Sequence, residues 1–234
     1  MLREISARIR ENFEEKDRVR EEGLKISRQV VRECRTATFA LHGQDFKKAA
    51  GRIEEAGKAL LRLEDIFEKH ADIYHAGFVE HAQQEFTEAS ILYELLREET
   101  GTWEEIRSGG KDVEGKKPGP GPIPTPETLG MGYAAYLNGL GDVVGELRRH
   151  ILDLIRGGKV EKAEVFLGIM ENIHAVLLDF DYPDAITHGL RRKTDVARSL
   201  VEKTRGDLTN AIQQKKLEAA MRELEVRLKE GGPD

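Results

Sequence analysis

The 234-residue sequence is poor in several residue types, and each scarcity excludes a class of protein. Its single cysteine, Cys34, cannot form an internal disulfide. No apolar run is long enough to span a membrane, and the first residues, MLREISARIR, lack the apolar core of a signal peptide. Aromatic residues make up only 6% of the chain, and the runs of Val, Thr and Tyr that strands favour are few. We therefore expect a helical protein of the reducing cytoplasm with no membrane partner.

Basic residues are also in deficit over the whole chain. The 37 Lys and Arg residues face 43 Asp and Glu residues, which gives a formal net charge of −6. Because nucleic-acid binders usually carry a basic surplus, this total argues mildly against a polyanionic ligand. Two local blocks have the opposite sign, however. Residues 18–35 hold six basic and three acidic residues, a balance of +3, and residues 191–205 hold six basic and two acidic residues, a balance of +4.

Apolar residues recur at helical spacing in almost every part of the chain. Between Phe46 and Phe67, for example, apolar or small residues step by three or four, which places them on one stripe of an amphipathic helix. The pattern predicts an all-α bundle of about seven helices. The predicted ranges are Leu2 to Leu41, Asp45 to His70, Ala71 to Glu99, Thr102 to Ile106, Pro126 to Arg156, Lys159 to Leu178 and Pro183 to Lys229, and the last helix could break near Gln213.

One segment, residues 107–125, interrupts this pattern. Its sequence RSGGKDVEGKKPGPGPIPT holds five of the 23 glycines and, together with Pro126, five of the seven prolines. Proline removes a backbone donor and glycine removes conformational bias, so we expect an exposed, flexible linker within a single domain that spans residues 1–234. Thr125 and Pro126 suit the cap and the first position of the helix that follows.

Two pairs of carboxylates at helical spacing lack the basic neighbours that surface acids usually have. Glu85 and Glu88 are three residues apart, and Asp142 and Glu146 are four apart, so each pair shares one helical face. Half-burying such pairs is costly unless a cation offsets the charge. Because carboxylate oxygens are preferred ligands of Mg²⁺ and Mn²⁺, the two pairs predict a metal site between two helices. The plain alternative is that all four are surface acids.

Glycines cluster around the second carboxylate pair. Each glycine in a helix interior costs about 1 kcal/mol relative to alanine, so their density indicates that another backbone or a ligand comes close. The residues concerned are Gly130, Gly132, Gly139, Gly141 and Gly145.

The two basic blocks are candidate nucleic-acid-binding surfaces. In the first block four residues step by three, four and three along one helix edge, and these are Lys25, Arg28, Arg32 and Arg35. In the second block the candidates are Arg191, Arg192 and Arg198. Such residues could neutralise the phosphates of a nucleic-acid strand. A solvated face paired with acids on a neighbouring helix or subunit explains the same pattern equally well.

A di-iron bundle is a third interpretation. Glu171 and His174 form one Glu-x-x-His unit, of which such bundles need two, together with a Glu from each of two other helices. Only Asp72 and His75 could imitate the second unit. His81 lies one turn before Glu85 and could tune that carboxylate instead of binding a metal.

Four segments of the chain resemble the translin family. The segment 181–209, DYPDAITHGLRRKTDVARSLVEKTRGDLT, is similar to the C-terminal signature of translin itself. The segment SRQVVRECRTATFALH resembles the first helix of the family, and QEFTEA and GLGDVVGEL resemble the translin-associated protein X branch. The resemblance covers nearly the whole chain and is weakest over the linker and the last fifteen residues.

This resemblance implies a seven-helix α-bundle that assembles into a hollow octamer and binds single-stranded RNA or DNA. In the protein X branch it further implies RNA cleavage at a Mg²⁺ site, whose four acidic residues fall on Glu85, Glu88, Asp142 and Glu146. The chain thus resembles an archaeal-type single-gene relative that forms both shell and active site as a homo-oligomer. The expected function is a Mg²⁺-dependent endoribonuclease, and the alternative is a non-catalytic single-stranded RNA- or DNA-binding oligomer.

Overall fold

The computed structural model describes residues 1–67, 70, 77–97 and 123–230 and contains no β-strand within these ranges. The all-α prediction is therefore confirmed. Six long helices and two single-turn helices make up this part of the chain. They are α1 (Leu2–His42), α2 (Phe46–Phe67), α3 (Gly77–Arg97), α4 (Pro126–Leu129), α5 (Tyr133–Arg156), α6 (Val160–Leu178), α7 (Asp184–Thr187) and α8 (Leu190–Glu230).

The long helices form two groups that meet at α3 and α5. In the first group, α1 packs along α2 and α3, and in the second, α5 packs against α6 and α8. The contact between α3 and α5 joins the two groups. One apolar cluster lies among α1, α2 and α3, around Val30, Leu63 and Ala82. A larger cluster, around Leu92, Leu147 and Met170, lies among α3, α5 and α6. The line of contact between α3 and α5, which we call the α3–α5 seam, thus holds the two groups of helices together.

Two of the predicted helices are each divided by a left-handed turn. The prediction of one helix from Pro126 to Arg156 is wrong, because α4 ends at Gly130, which has φ +71°, and α5 begins after Gly132. The predicted helix from Pro183 is likewise divided between α7 and α8, where His188 has φ +49° and Gly189 has φ +90°. Glycine adopts this conformation without a steric penalty, which explains why the chain turns there.

Most other predicted boundaries agree with the structure to within a few residues, whereas the predicted helix bounds Ala71 and Glu99 lie outside the described residues. Thr125 caps α4 as predicted, and its Oγ1 accepts a hydrogen bond of 3.2 Å from the Thr128 amide. The helix α8 continues unbroken through Gln213. Most of the predicted linker, residues 107–122, lies outside the described residues, as does the predicted helix 102–106. The end of the linker is anchored, because the Tyr136 hydroxyl donates to the Pro124 carbonyl at 3.0 Å.

None of the helices in the described ranges is both long enough and apolar enough to cross a membrane.

Candidate metal and nucleic-acid site

The α3–α5 seam is narrow because a glycine lies at its closest point. A Cβ atom built on Gly139 would lie 2.7 Å from both the carbonyl oxygen of Gln84 and the Cβ of Thr87. Real Cβ contacts of this length do not occur, so only glycine allows α5 to approach the α3 backbone this closely. The prediction that a neighbouring backbone explains the glycines of α5 is confirmed at this position. The approach brings the carboxylate pairs of the two helices together.

The two pairs form a single group of four interacting carboxylates, which we call the carboxylate cluster: Glu85, Glu88, Asp142 and Glu146. Glu88 is at its electrostatic centre. Burial, followed by the negative charges of Asp142, Glu85 and Glu146, raises the pKa of Glu88 to about 8. The positive charge of Lys193 acts in the opposite direction on this pKa and does not cancel the rise. Without an added cation, Glu88 therefore retains its proton at neutral pH.

The α5 pair has close hydrogen-bond partners from other helices, one of which is the cation Lys193. The Lys193 Nζ and the Gln84 Nε2 each lie 2.5 Å from Asp142 Oδ2. The His42 Nε2 lies 2.5 Å from Glu146 Oε2, and the His42 side chain is only 5% exposed. Hydrogen bonding from His42 is the main cause of a lowered pKa of Glu146. This hydrogen bond favours the charged form of Glu146.

The α3 pair has weaker partners. Glu85 Oε1 lies 3.7 Å from Arg35 Nη2 and 3.6 Å from His81 Nε2, which are ion-pair distances and too long for hydrogen bonds. The position of His81 agrees with the prediction that it acts on Glu85. Glu85 is only 16% exposed, so that water compensates little of its charge. Glu85 thus lies farther from its nearest described cation than Asp142 does from Lys193.

Sequence reasoning missed Lys193 and His42, which lie 51 and 104 residues from their partners. A signal for Lys193 was present, since it continues the buried stripe of α8 at a spacing of three from Leu190 and four from Ala197, both of which are buried. A lysine on a buried stripe needs an acidic partner. We found no comparable signal for His42.

The donor set suits a hard divalent cation, but the side chains are not arranged around one. Within the described ranges, no group of three or more His, Cys, Asp or Glu side chains is positioned to hold a metal ion. Asp142 and Glu146 face Lys193 and His42 instead. Four carboxylates at one helix seam have the oxygen chemistry that Mg²⁺ and Mn²⁺ require. To act as ligands, Asp142 and Glu146 would have to turn from their present partners.

The first predicted nucleic-acid-binding set leads directly to the carboxylate cluster. Its members Lys25, Arg28, Arg32 and Arg35 are all exposed on α1. Arg28 makes no ion pair or hydrogen bond with any residue that the structure describes. Arg35, the last of the four, is the residue that contacts Glu85. The structure therefore joins a row of exposed cations to the acidic site, although Arg32 Nε lies 3.8 Å from Glu33 Oε1 in its own helix.

The second predicted set lies on α8, which packs against α5, α6 and α7. Arg191, Arg192 and Arg198 are exposed, and Arg198 Nη2 lies 3.7 Å from Asp195 Oδ1 in its own helix. Arg191 and Arg192 immediately precede Lys193 in sequence. The start of α8 thus presents two exposed arginines beside a lysine that is turned toward the cluster.

The di-iron interpretation gains no support from the structure. Glu171 accepts a 2.6 Å hydrogen bond from Arg205 Nη2, which links α6 to α8. Asp72 and His75, the residues suggested for the second unit, lie outside the described residues.

Comparison with known proteins agrees with this architecture. The model of the translin family matches residues 18–205. An uncharacterised protein of Methanocaldococcus jannaschii is 32% identical over 218 residues, which cover 91% of this chain and 85% of that protein.

Solved structures show the same fold. AfC3PO in complex with duplex RNA is similar with 28% sequence identity and a TM-score of 0.70, and the match covers 89% of this chain and 96% of that one. NeC3PO without ligand is similar with 20% identity and a TM-score of 0.70, over 88% and 96% of the two chains. A family match over most of the chain and these similarities in fold lead to one conclusion: this chain belongs to the translin family.

Proposed function

We propose that this protein is a Mg²⁺-dependent endoribonuclease that acts on single-stranded RNA. The observation that carries the proposal is the meeting of two carboxylate pairs at the α3–α5 seam, at the end of a row of exposed cations on α1. RNA binding is further supported by AfC3PO, which is 28% identical and was solved with duplex RNA. Single-stranded DNA carries the same phosphates and is a second candidate ligand for the cations.

In this proposal Glu85, Glu88, Asp142 and Glu146 hold one or two Mg²⁺ ions, and Mn²⁺ can replace them. A bound ion would polarise a phosphoryl oxygen and lower the pKa of an attacking water. Arg28, Arg32 and Arg35 would hold the phosphates of the strand as it approaches. Lys193 lies 2.5 Å from an oxygen of Asp142, and His42 lies 2.5 Å from an oxygen of Glu146 and lowers the pKa of that carboxyl group.

We further propose that the chain assembles into a hollow homo-octamer in the cytoplasm, as its family resemblance implies. Exposed apolar residues on the outer ends of the two longest helices support self-association, since monomeric proteins rarely leave such rows uncovered. On α1 these are Leu2, Ile9 and Phe13, and on α8 they are Leu217, Met221, Leu224 and Leu228. Light scattering on the full chain would give the mass of the assembly.

The alternative is a non-catalytic nucleic-acid-binding oligomer. The observation in its favour is that Asp142 and Glu146 already have close partners within the chain, which a purely structural cluster would also show. It predicts salt-sensitive binding of RNA or DNA that is independent of Mg²⁺ and yields no cleavage product.

The direct test combines metal binding with cleavage. Titration calorimetry with Mn²⁺ and a cleavage assay on short single-stranded RNA with Mg²⁺ would compare wild type with Glu88→Gln and Asp142→Asn. Both variants should lose metal affinity and cut at least about a hundredfold more slowly, because ligand loss is at least as damaging as loss of a ligand's supporting partner. Glu171→Gln, which removes a carboxylate on α6, is the matched control and should behave as wild type.

Unchanged cleavage and metal affinity in both variants would contradict the site assignment. RNA binding by wild type without any product would favour the non-catalytic alternative.

A further inference from the structure

A groove with a volume of about 690 Å³ lies along α1 beside the row of cations. Its apolar lining includes Val31 and Phe39 from α1 and Phe78 from α3. Its basic lining consists of Arg28, Arg32 and Arg35, three of the four residues of the first predicted nucleic-acid-binding set. This volume is within the range of sites that enclose small organic ligands. The row of cations is thus one wall of a concave apolar site.

The two aromatic rings that line the groove differ in exposure and in packing. Phe78 is half-buried, and its ring packs at a tilt against Phe67 with centroids 6.2 Å apart. Phe39 is 70% exposed, an unusual state for a phenylalanine next to an apolar groove. Phe78 therefore provides a fixed surface, and Phe39 provides a ring that a ligand could cover.

A polar group in the groove also lacks a partner. Ser27 lines the groove and is 4% exposed, and its hydroxyl makes no hydrogen bond with any described residue. Buried hydroxyls are normally paired, and one that is not indicates a missing partner. A hydroxyl can both donate and accept, so it suits the mixed polar edge of a planar heterocycle.

The groove is continuous with the carboxylate cluster. Arg35 and His81 both line it, and both approach Glu85 Oε1, at 3.7 Å and 3.6 Å. A phosphate alone would need only the cations and would leave the apolar lining unused. A nucleobase has apolar faces, a polar edge and an attached phosphate, so it complements all three parts of the groove.

We propose that this groove binds the base of an unpaired nucleotide whose phosphate lies toward the carboxylate cluster. The proposal rests on the proposed function and deepens it, because it gives a reason for selecting single strands. A base within a duplex is stacked and paired, and extruding it costs a few kcal/mol that an unpaired base does not need. The groove thus favours single-stranded RNA or an unpaired end over an intact duplex.

The test is a binding measurement on the full chain in EDTA, so that no cleavage occurs. Fluorescence anisotropy would compare wild type, Phe39→Ala and Phe39→Tyr on a labelled single-stranded RNA and on a blunt duplex of the same sequence. Phe39→Ala should weaken single-strand binding about tenfold, because a stacked base loses its platform, and should change duplex binding less than twofold. Phe39→Tyr keeps a ring and should restore the affinity.

Two controls distinguish a base site from general effects of the substitution. Tyr182→Ala removes another exposed ring, 58% exposed, that lies outside the groove and outside the rows proposed for self-association, and should leave binding unchanged. In a series of RNAs with one abasic position each, at least one should bind wild type about tenfold more weakly than the intact RNA does. The same abasic position should not weaken binding to Phe39→Ala any further.

Three results would overturn the proposal. The first is equal single-strand affinity of Phe39→Ala and wild type, or an abasic series without a sensitive position, while RNA binding itself persists. The second is a change in assembly mass of Phe39→Ala by light scattering, which would make the groove an interface between copies. The third is absence of RNA binding by wild type at low salt, which would overturn the proposed function as well.

Discussion

The carboxylate pairs on α3 and α5 both follow the spacing of one helical turn, but their surroundings differ. Each pair shares one helical face, and both lie at one seam. On α5, Asp142 and Glu146 have partners at 2.5 Å from α8 and α1. On α3, the partners of Glu85 among the described residues lie at 3.6 Å and 3.7 Å, and the pKa of Glu88 is raised to about 8. Residue spacing therefore determines which carboxylates share a helical face, and helix packing determines which partners each pair has.

The asymmetry follows from the position of α5 in the bundle. This helix contacts α3 on one side and α8 on another, so it can receive Lys193 from α8. Gly141 leaves room for this approach, since a Cβ there would lie 3.3 Å from the Lys193 Cβ. The α3 carboxylates lie between α1 and α5, where Arg35 lies 3.7 Å from Glu85 and is 70% exposed. An exposed arginine is shared with water and compensates a carboxylate only weakly.

The largest predicted effect concerns the protonation of Glu88. Its folded-state pKa of about 8 exceeds the ordinary value of 4.5, so the folded protein keeps a proton that the unfolded chain releases. In metal-free buffer, stability should therefore fall as pH rises from about 4.5 to about 8 and then level off. At about 1.4 kcal/mol per pKa unit the loss amounts to a few kcal/mol.

Glu88→Gln has no titrating carboxyl and should flatten this part of the pH profile. Urea unfolding in EDTA at pH 5, 6.5 and 8.5 would measure it, with Glu171→Gln as a control that keeps the wild-type slope. An identical slope in Glu88→Gln and wild type would contradict the assignment of the proton to Glu88.

A second prediction tests the close approach of α3 and α5 that brings the two carboxylate pairs together. Gly139→Ala should destabilise the protein by about 1–3 kcal/mol, because its Cβ would overlap the Gln84 carbonyl and force the helices apart. Gly206→Ala is the matched control, since no atom lies within 4 Å of its added Cβ. That substitution should stabilise α8 by up to about 1 kcal/mol. Urea unfolding measures both, and equal effects of the two substitutions would disprove a close approach at Gly139.

The smallest predicted effect comes from removing the cation beside Asp142, which makes the surroundings of the α5 pair more like those of the α3 pair. Lys193→Met removes the cation at Asp142 and should cost about 1 kcal/mol at pH 7, because the site is only partly buried. It should also raise the pKa of Glu88 further, since the charge of Lys193 lowers it. NMR titration of the Glu88 carboxyl in EDTA would measure this change. A pKa unchanged from wild type would show that Lys193 does not act on the cluster.

The fold was largely predictable because helix formation is local. Apolar spacing predicted the six long helices of the described ranges, and Thr125 was recognised as a cap from its own residue type and that of Pro126. The two divided helices were not predicted. A glycine at Gly130 or Gly189 permits a left-handed turn but does not require one, and other glycines remain within helices, such as Gly168.

The carboxylate pairs were predictable as pairs, whereas their partners were not. The helical period places Glu85 beside Glu88 and Asp142 beside Glu146 without any knowledge of the fold. Lys193 and His42 belong to other helices, and their partners depend on how those helices pack. The groove at Phe39 was also missed, because its lining combines residues of α1 and α3 that no local pattern connects.

The sequence by itself determined the helices, the two acidic faces and the row of cations on α1, since each depends on residues within a few turns of one another. Tertiary structure alone decided that the acidic faces meet at Gly139, that Lys193 and His42 contact one pair, and that the cations border an apolar groove. The physical reason is that side-chain charge and shape are local properties, whereas desolvation and ion pairing depend on which helices lie against each other.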